Sequence, residues 1–368
     1  MRWRTRPATA GIGLLLAAAA ASCTSHASSS SRHREGLQLD VLPPVAQTGV
    51  APAPADDATP VLVATSTPAR AGRVLTLQRR TASGWQQVGT ASTDGYGMAE
   101  FPAPRSAGGT PDYRVVAATS KGHSAGTLTG WRRAFSDEFE GSTLDRSWGY
   151  RALGVTSKTS GRRVSASSKA AVRVGGGVLR LQVRTDPRRR GHYLNGHIST
   201  ESTYLFRYGV AAARIRFERP RGIHGAFWSQ SPEARSYPGD PVRSGTEIDV
   251  AEYFGSGFPA GGLASYVYHV DTSGKNIKDG DVLPRAVHVV GSADAFWRTF
   301  HVYSVEWSPG GYVFRIDGKV TYVTRRAVSA RSQYLVLSLL SSDWELPDLD
   351  TSRLPATMQV DWVRVWQR

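Results

Sequence analysis

The sequence predicts an all-β protein: a two-sheet antiparallel sandwich preceded by a small β module. Three observations predict it. From about residue 60 to the end of the 368-residue chain, short apolar runs alternate with period two. Gly-, Ser- and Asp-containing turns separate these runs at close spacing. No long stretch repeats its apolar residues at the 3.6-residue period of a helix. Composition agrees, because 40% hydrophobic residues with 10 Trp, 14 Tyr and 11 Phe can build substantial cores. That content excludes disorder for most of the chain. The charge is less specific. With 45 Lys+Arg against 30 Asp+Glu the formal net charge is +15, which raises nucleic acid, anionic membranes and acidic polysaccharides as classes of partner. A single cysteine, Cys23, excludes an internal disulfide, and no Cys/His cluster suggests zinc.

At the start, Arg2, Arg4 and Arg6 precede an Ala/Leu-rich run over residues 8–21, which ends in small residues before Cys23. The run is short of the roughly 20 apolar residues that span a bilayer, so residues 1–23 read as a signal peptide. Its end resembles the lipobox of exported lipoproteins of actinobacterial type, with Ala20 where Leu is usual. Lipidation at Cys23 is the expectation, and plain secretion is the alternative. Either places the protein outside the cytoplasm, with no nucleic acid as partner and a membrane reached only through a lipid anchor.

Residues 24–58 carry Ser25 to Ser31 and then Pro43, Pro44, Pro52 and Pro54, and read as a disordered linker. Over residues 59–128, Val61 and Val63, then Val74, Leu75 and Leu77, then Tyr113, Val115 and Val116 form β-rich runs. Turns at Ser83-Gly84 and Thr93-Asp94-Gly95 separate them. This stretch resembles immunoglobulin-like modules of bacterial surface proteins, which serve as spacers or bind carbohydrate.

Residues 131–368 carry the regular strand pattern. Val172 and Val174 lead through Gly175 to Gly177 into Leu179, Leu181 and Val183. Ile215 and Phe217 alternate with Arg214 and Arg216. Phe314 and Ile316 run into Asp317-Gly318, then Val320 and Tyr322, a strong hairpin signal. Leu335, Leu337 and Leu339 follow, and Met358, Val360 and Trp362 close the pattern. Many short strands without intervening helices argue for the sandwich.

Within this pattern Glu247, Asp249 and Glu252 stand out. Acids are depleted in strands and repel one another there. Glu247 and Asp249 share one face, whereas Glu252, five residues after Glu247, falls on the other face of an ideal strand. One β-bulge between Asp249 and Glu252 returns Glu252 to the first face, and bulges gather beside active sites. Two glutamates flanking an aspartate suit retaining glycoside hydrolysis, which needs a nucleophile and a general acid/base roughly 5–5.5 Å apart with different proton affinities. On spacing alone a solvated acidic patch and a calcium site stay open.

The segment Glu247-Ile-Asp-Val-Ala-Glu252 resembles the signature of glycoside hydrolase family 16 in its bulged, laminarinase-like form. Collinear landmarks extend the resemblance over about residues 131–368: Phe135-Ser-Asp-Glu-Phe139, Gly196-His-Ile-Ser-Thr200, Phe206-Arg-Tyr-Gly209, Gly225-Ala-Phe-Trp228, His301-Val-Tyr-Ser-Val-Glu-Trp307 and Val360-Asp-Trp-Val-Arg-Val365. The resemblance implies a concanavalin A-like β-jelly roll and an endo-acting, retaining glycosidase for a β-linked polysaccharide, above all a β-1,3- or mixed β-1,3-1,4-glucan. It implies Glu247 as nucleophile, Glu252 as acid/base and Asp249 as the helper that tunes the nucleophile. Trp228 matches a sugar-stacking position, with core packing as the alternative. His269 is expected to hydrogen-bond near the acid/base, with a core or surface histidine as the alternative, and Trp344, in the polar stretch 341–347, to bind sugar. Asp361 matches a position that helps hold a structural calcium in relatives; catalysis itself implies no cofactor. A monomer acting on a polysaccharide is expected. The alternatives are a non-catalytic glycan-binding protein on the same sandwich, which has no need of both glutamates, and a transglycosylase using the same residues. One departure is Ile223-His224-Gly225, where laminarinase-like relatives commonly carry a Trp-Pro pair.

Overall fold

A computed structural model describes residues 36–103, 112–117, 123–126, 130–158 and 161–368. The leader and Cys23 lie outside the described residues. The first strand, β1 (Gly36–Ala46), lies inside the stretch expected as a linker and corrects that expectation. It pairs antiparallel with β2 (Thr59–Thr67), and their register slips between Leu42 and Ala46. Pro43 and Pro44 fall within that slip, where a missing N–H costs no ladder bond. The prolines that suggested a tether thus mark an irregularity in a strand.

Five further strands complete the small module: β3 (Val74–Thr81), β4 (Gly84–Ser92), β5 (Met98–Pro102), β6 (Tyr113–Ala117) and β7 (His123–Gly126). They form one sheet in the order β1-β2-β5 and another in the order β4-β3-β6-β7. Leu39, Val41 and Leu62 of the first sheet share a buried cluster with Leu75, Leu77 and Val115 of the second, so the alternating apolar residues are buried between the sheets.

The large sandwich begins with β8 (Arg132–Asp137), β9 (Gly149–Tyr150), β10 (Ser165–Ser167), β11 (Val172–Val174), β12 (Leu179–Thr185) and β13 (Tyr193–Ser199). It continues through β14 (Gly209–Arg216), β15 (His224–Gln230), β16 (Glu247–Tyr253), β17 (Leu263–Val270) and β18 (Asn276–Val282). The last strands are β19 (His301–Ser308), β20 (Gly311–Ile316), β21 (Lys319–Thr324), β22 (Tyr334–Leu340) and β23 (Ala356–Gln367). Their main hydrogen-bonded path runs β18-β17-β16-β15-β22-β13-β12-β23-β14-β19-β20-β21. Residues from the two halves of this path meet in one core: Phe227, Ile248, Val267 and Leu337 from the first, Ala213, Val305, Phe314 and Val363 from the second. The all-β sandwich expected from the period-two pattern is the fold of the protein.

The small module packs on the outer side of the second half. Leu42, Val45, Val61 and Val63 bury against Val210, Ala212, Val302 and Trp362. At this seam Arg214 is fully buried and ion-pairs with Asp361. Its Nε donates to the Gln47 carbonyl at 3.0 Å and its Nη1 to the Ala51 carbonyl at 3.2 Å. Asp361 therefore does not fit the expected calcium, because a guanidinium occupies its carboxylate and a divalent cation there would meet a buried positive charge. Among the described residues no group of three or more His, Cys, Asp or Glu is arranged to hold a metal ion.

Candidate active site

The site is built on β16. Asp249 pairs with Tyr266 and Glu252 with Ala264, so three residues of β16 span two of β17. The same slip occurs against β15, where Phe227 faces Ala251 and Trp228 faces Asp249. The extra residue is Val250, and Val250 and Ala251 both enter the core. Glu247, Asp249 and Glu252 consequently lie on the face away from the core. Opposite them on β15 are Gln230, Trp228 and Ala226, and on β17 are Tyr268, Tyr266 and Ala264. This face is recessed: Asp249 is 3% exposed, and His224 and Ser338 are buried on it.

Hydrogen bonds fix the start of this row. Gln230 Nε2 donates to Glu247 Oε2 at 2.7 Å. The other end of that amide, Oε1, accepts from Tyr334 Oη at 2.7 Å and from Arg151 Nη2 at 2.8 Å. The Arg151 guanidinium also lies 4.9 Å from the centre of the Trp228 ring, whose Nε1 donates to Ser338 Oγ at 3.1 Å. Trp228 is thus a half-buried wall of the recessed face and not a core residue.

At the other end His224 is buried, and its Nδ1 lies 2.7 Å from Glu345 Oε1. The same oxygen accepts the Ser342 backbone N–H at 2.8 Å. Trp344 is 63% exposed and stacks on His224 with ring centres 6.3 Å apart. Phe254 meets the edge of Trp344 at 6.0 Å, giving this end an aromatic rim.

Burial and crowding raise the proton affinity of all three acids. Burial first, then the Glu252 charge, push the Glu247 carboxyl up to about 7, while Arg151, Arg235 and Arg162 oppose the rise. Asp249 is pushed well above the carboxylate range by burial and by both glutamates. Burial raises Glu252 too, against the charge of His224. Three carboxyls this close cannot all ionise cheaply. Asp249, the most buried of the three by exposure, is raised by burial and by both neighbouring charges. The Glu345 carboxylate raises His224 despite burial. Burial, with Arg151 and Arg162 nearby, pushes His197 down to about 3, leaving a neutral imidazole.

His269 corrects an expectation. Strand β17 runs antiparallel to β16, so its late residues sit beside the start of β16: Tyr268 faces Glu247, whereas Ala264 faces Glu252. His269 therefore borders a cavity next to Glu247, and the histidine at the Glu252 end is His224. Sequence reasoning missed His224, Glu345, Arg151, Gln230 and Tyr334. Gln230 and His224 were within reach, because they continue the alternation through Trp228; the loop residues Arg151 and Glu345 carry no periodic signal.

A sandwich with clustered, protonatable carboxyls walled by aromatic side chains defines a carbohydrate-active enzyme of the glycoside hydrolase class. The family model "Glycosyl hydrolases family 16" matches residues 159–364, more than half of the chain. The protein belongs to glycoside hydrolase family 16. It is 26% identical over 259 residues to a beta-glucanase of Rhodothermus marinus, covering 64% of this chain and 85% of that protein. It is also 26% identical to a keratan-sulfate endo-1,4-beta-galactosidase of Sphingobacterium multivorum, covering 70% of this chain but only 60% of that relative's length. The structure of an endo-beta-1,3-glucanase from Pyrococcus furiosus matches with a TM-score of 0.53 at 25% identity, over 65% of this chain and 95% of that one.

Proposed function

We propose that the protein is a retaining endo-hydrolase of a β-linked glucan cut at β-1,3 bonds, alone or in mixed β-1,3-1,4 chains. The observation that carries the proposal is the bulge at Val250, which brings Glu247 and Glu252 to one recessed face. The β-glucanase and β-1,3-glucanase relatives support the choice of glucan. Glu247 attacks the anomeric carbon while Glu252, protonated, gives its proton to the departing oxygen; Glu252 then takes a proton from water as it attacks C1 and releases the sugar. The surroundings favour this division of roles. Glu247 receives the Gln230 amide and has three arginines nearby, which favour its carboxylate; burial, aided by the Glu345 charge and opposed by His224, favours the acid form of Glu252.

The test is release of reducing ends from laminarin, lichenan, agarose and galactan by the wild type and by Glu247→Gln. Laminarin hydrolysis by the wild type and its loss in Glu247→Gln are expected; equal activity of the two proteins would remove Glu247 from the mechanism. From the leader we also propose export and tethering through Cys23. Radiolabelled palmitate should enter the wild type in cells and not Cys23→Ala.

A further inference from the structure

Between the small module and the large sandwich runs a groove of about 340 Å³. Strands β1 and β2 supply one wall, and β19, β20 and β21 the other. Leu42 and Val313 give it an apolar floor, and its charged residues are Asp40, Glu306, Arg315 and Arg325. Glu306 and Arg315 alternate with the core residues Val305 and Phe314, so they point out of the sandwich on the sheet that does not carry the acids of β16. The groove therefore lies on the far side from Glu247 and Glu252, and the chemistry there makes no use of it.

Arg315 is built into this groove. It is 4% exposed, and its Nη1 donates to Glu306 Oε2 at 2.9 Å. The guanidinium makes no other hydrogen bond among the described residues, and its Nε is buried without a partner. A surface arginine gives spare donors to water, whereas a buried one that borders a cavity keeps them for an acceptor entering it. The balance of charge says what kind of acceptor. Two carboxylates face two guanidinium groups, so an anion would meet Asp40 and Glu306, and a cation would meet Arg315 and Arg325. A neutral group rich in hydroxyls uses both kinds, because each hydroxyl donates to a carboxylate and accepts from a guanidinium. The apolar floor suits the C–H face of a sugar ring, and the volume is that of a small-ligand pocket.

Resting on the reading of the protein as a glucan hydrolase, we propose that this groove is a second glycan-binding site, which holds one neutral stretch of polysaccharide while the cleft at β16 cuts another. Two sites raise the effective concentration of a long chain at the cleft. An oligosaccharide too short to reach both gains nothing.

The experiment titrates laminarihexaose calorimetrically into Glu247→Gln, and into the same protein carrying Thr65→Trp, which plugs the groove, or Asp40→Ala, which removes an acceptor from it. Both residues border the groove, and Asp40 lies at its partly exposed rim, where truncation disturbs the fold least. Thr65→Trp should remove one binding site, and Asp40→Ala should weaken that site about tenfold or more, the size of a hydrogen bond to a charged group. With Glu247 intact, either substitution should lower the ratio of kcat/KM on laminarin to kcat/KM on laminaritetraose by about tenfold. Binding that neither substitution alters, or a ratio that both leave flat, overturns the proposal. The two readings fail separately. A wild type inactive on laminarin whose groove variants still lose binding would sink the glucanase reading alone, and laminarin hydrolysis without groove-dependent binding would sink the groove alone.

Discussion

His224 Nδ1 lies 2.7 Å from Glu345 Oε1, and both side chains are buried. This pair joins β15 to the loop carrying Trp344, and it sets a charge beside Glu252. The groups that face His224 are Glu345, Glu252, Arg162, His197 and Glu218. His224 is raised above its ordinary value, so the pair's contribution to stability is present below the unfolded histidine value and lost as pH rises through the folded one. Glu345→Gln should therefore destabilise the fold most at acidic to neutral pH, by about 3–5 kcal/mol if the charge is stranded. Thermal melts across pH check this. His224→Gln removes a positive neighbour from Glu252 and should move the alkaline limb of the kcat profile upward.

The acidic limb belongs to Glu247. With its carboxyl at about 7, kcat/KM should drop below neutral pH, approaching tenfold per pH unit. Arg151 opposes that rise most strongly, so Arg151→Met should shift the limb to higher pH. A limb that stays in place would detach Arg151 from the nucleophile.

Glu218 lies behind β15, where its Oε1 accepts the Gly225 N–H at 2.8 Å. Burial pushes this carboxyl up to about 8. The native state keeps a proton that the unfolded chain releases, so this residue's contribution is full below about 4.5 and lost as pH rises to about 8. At about 1.4 kcal/mol per pH unit, the loss amounts to several kcal/mol. Glu218→Gln, which keeps the acceptor without the charge, should be more stable than the wild type at pH 9 and similar at pH 4. Denaturant titrations at the two pH values measure it.

The Arg214–Asp361 pair predicts indifference to chelators. EDTA should leave the melting temperature of the wild type unchanged, whereas Arg214→Met should lower stability by about 3–5 kcal/mol by leaving Asp361 buried and unpaired. A fall in melting temperature on adding EDTA would restore a metal to this region.

What the sequence revealed, and what it hid, follows from how each contact is made. The acids of β16 were readable because side-chain direction within one strand is counting by twos, and a misfit of one residue points to a bulge. Trp228 came from the family resemblance, and the strand pattern alone left core packing open. Strand β1 was hidden because Pro43 and Pro44 sit in its register slip and imitate a linker. The partner of His224 was hidden because Glu345 lies on a loop 121 residues away, where no period operates. Arg214 could be placed facing away from the core by its alternation with Ile215, but nothing local told that the small module covers that face and supplies Gln47 and Ala51 as acceptors. His269 was misplaced because the direction of β17 relative to β16 decides which glutamate its end approaches.

In the proposed mechanism Glu247 forms the covalent bond to the sugar while Glu252 handles the proton. A 2-deoxy-2-fluoro β-laminaribioside with a good leaving group, incubated with the wild type and followed by peptide mass mapping, tests it most directly. One glycosyl adduct is expected, on the peptide carrying Glu247 and at that residue. An adduct on Glu252, or turnover with inverted stereochemistry and no adduct, would contradict it.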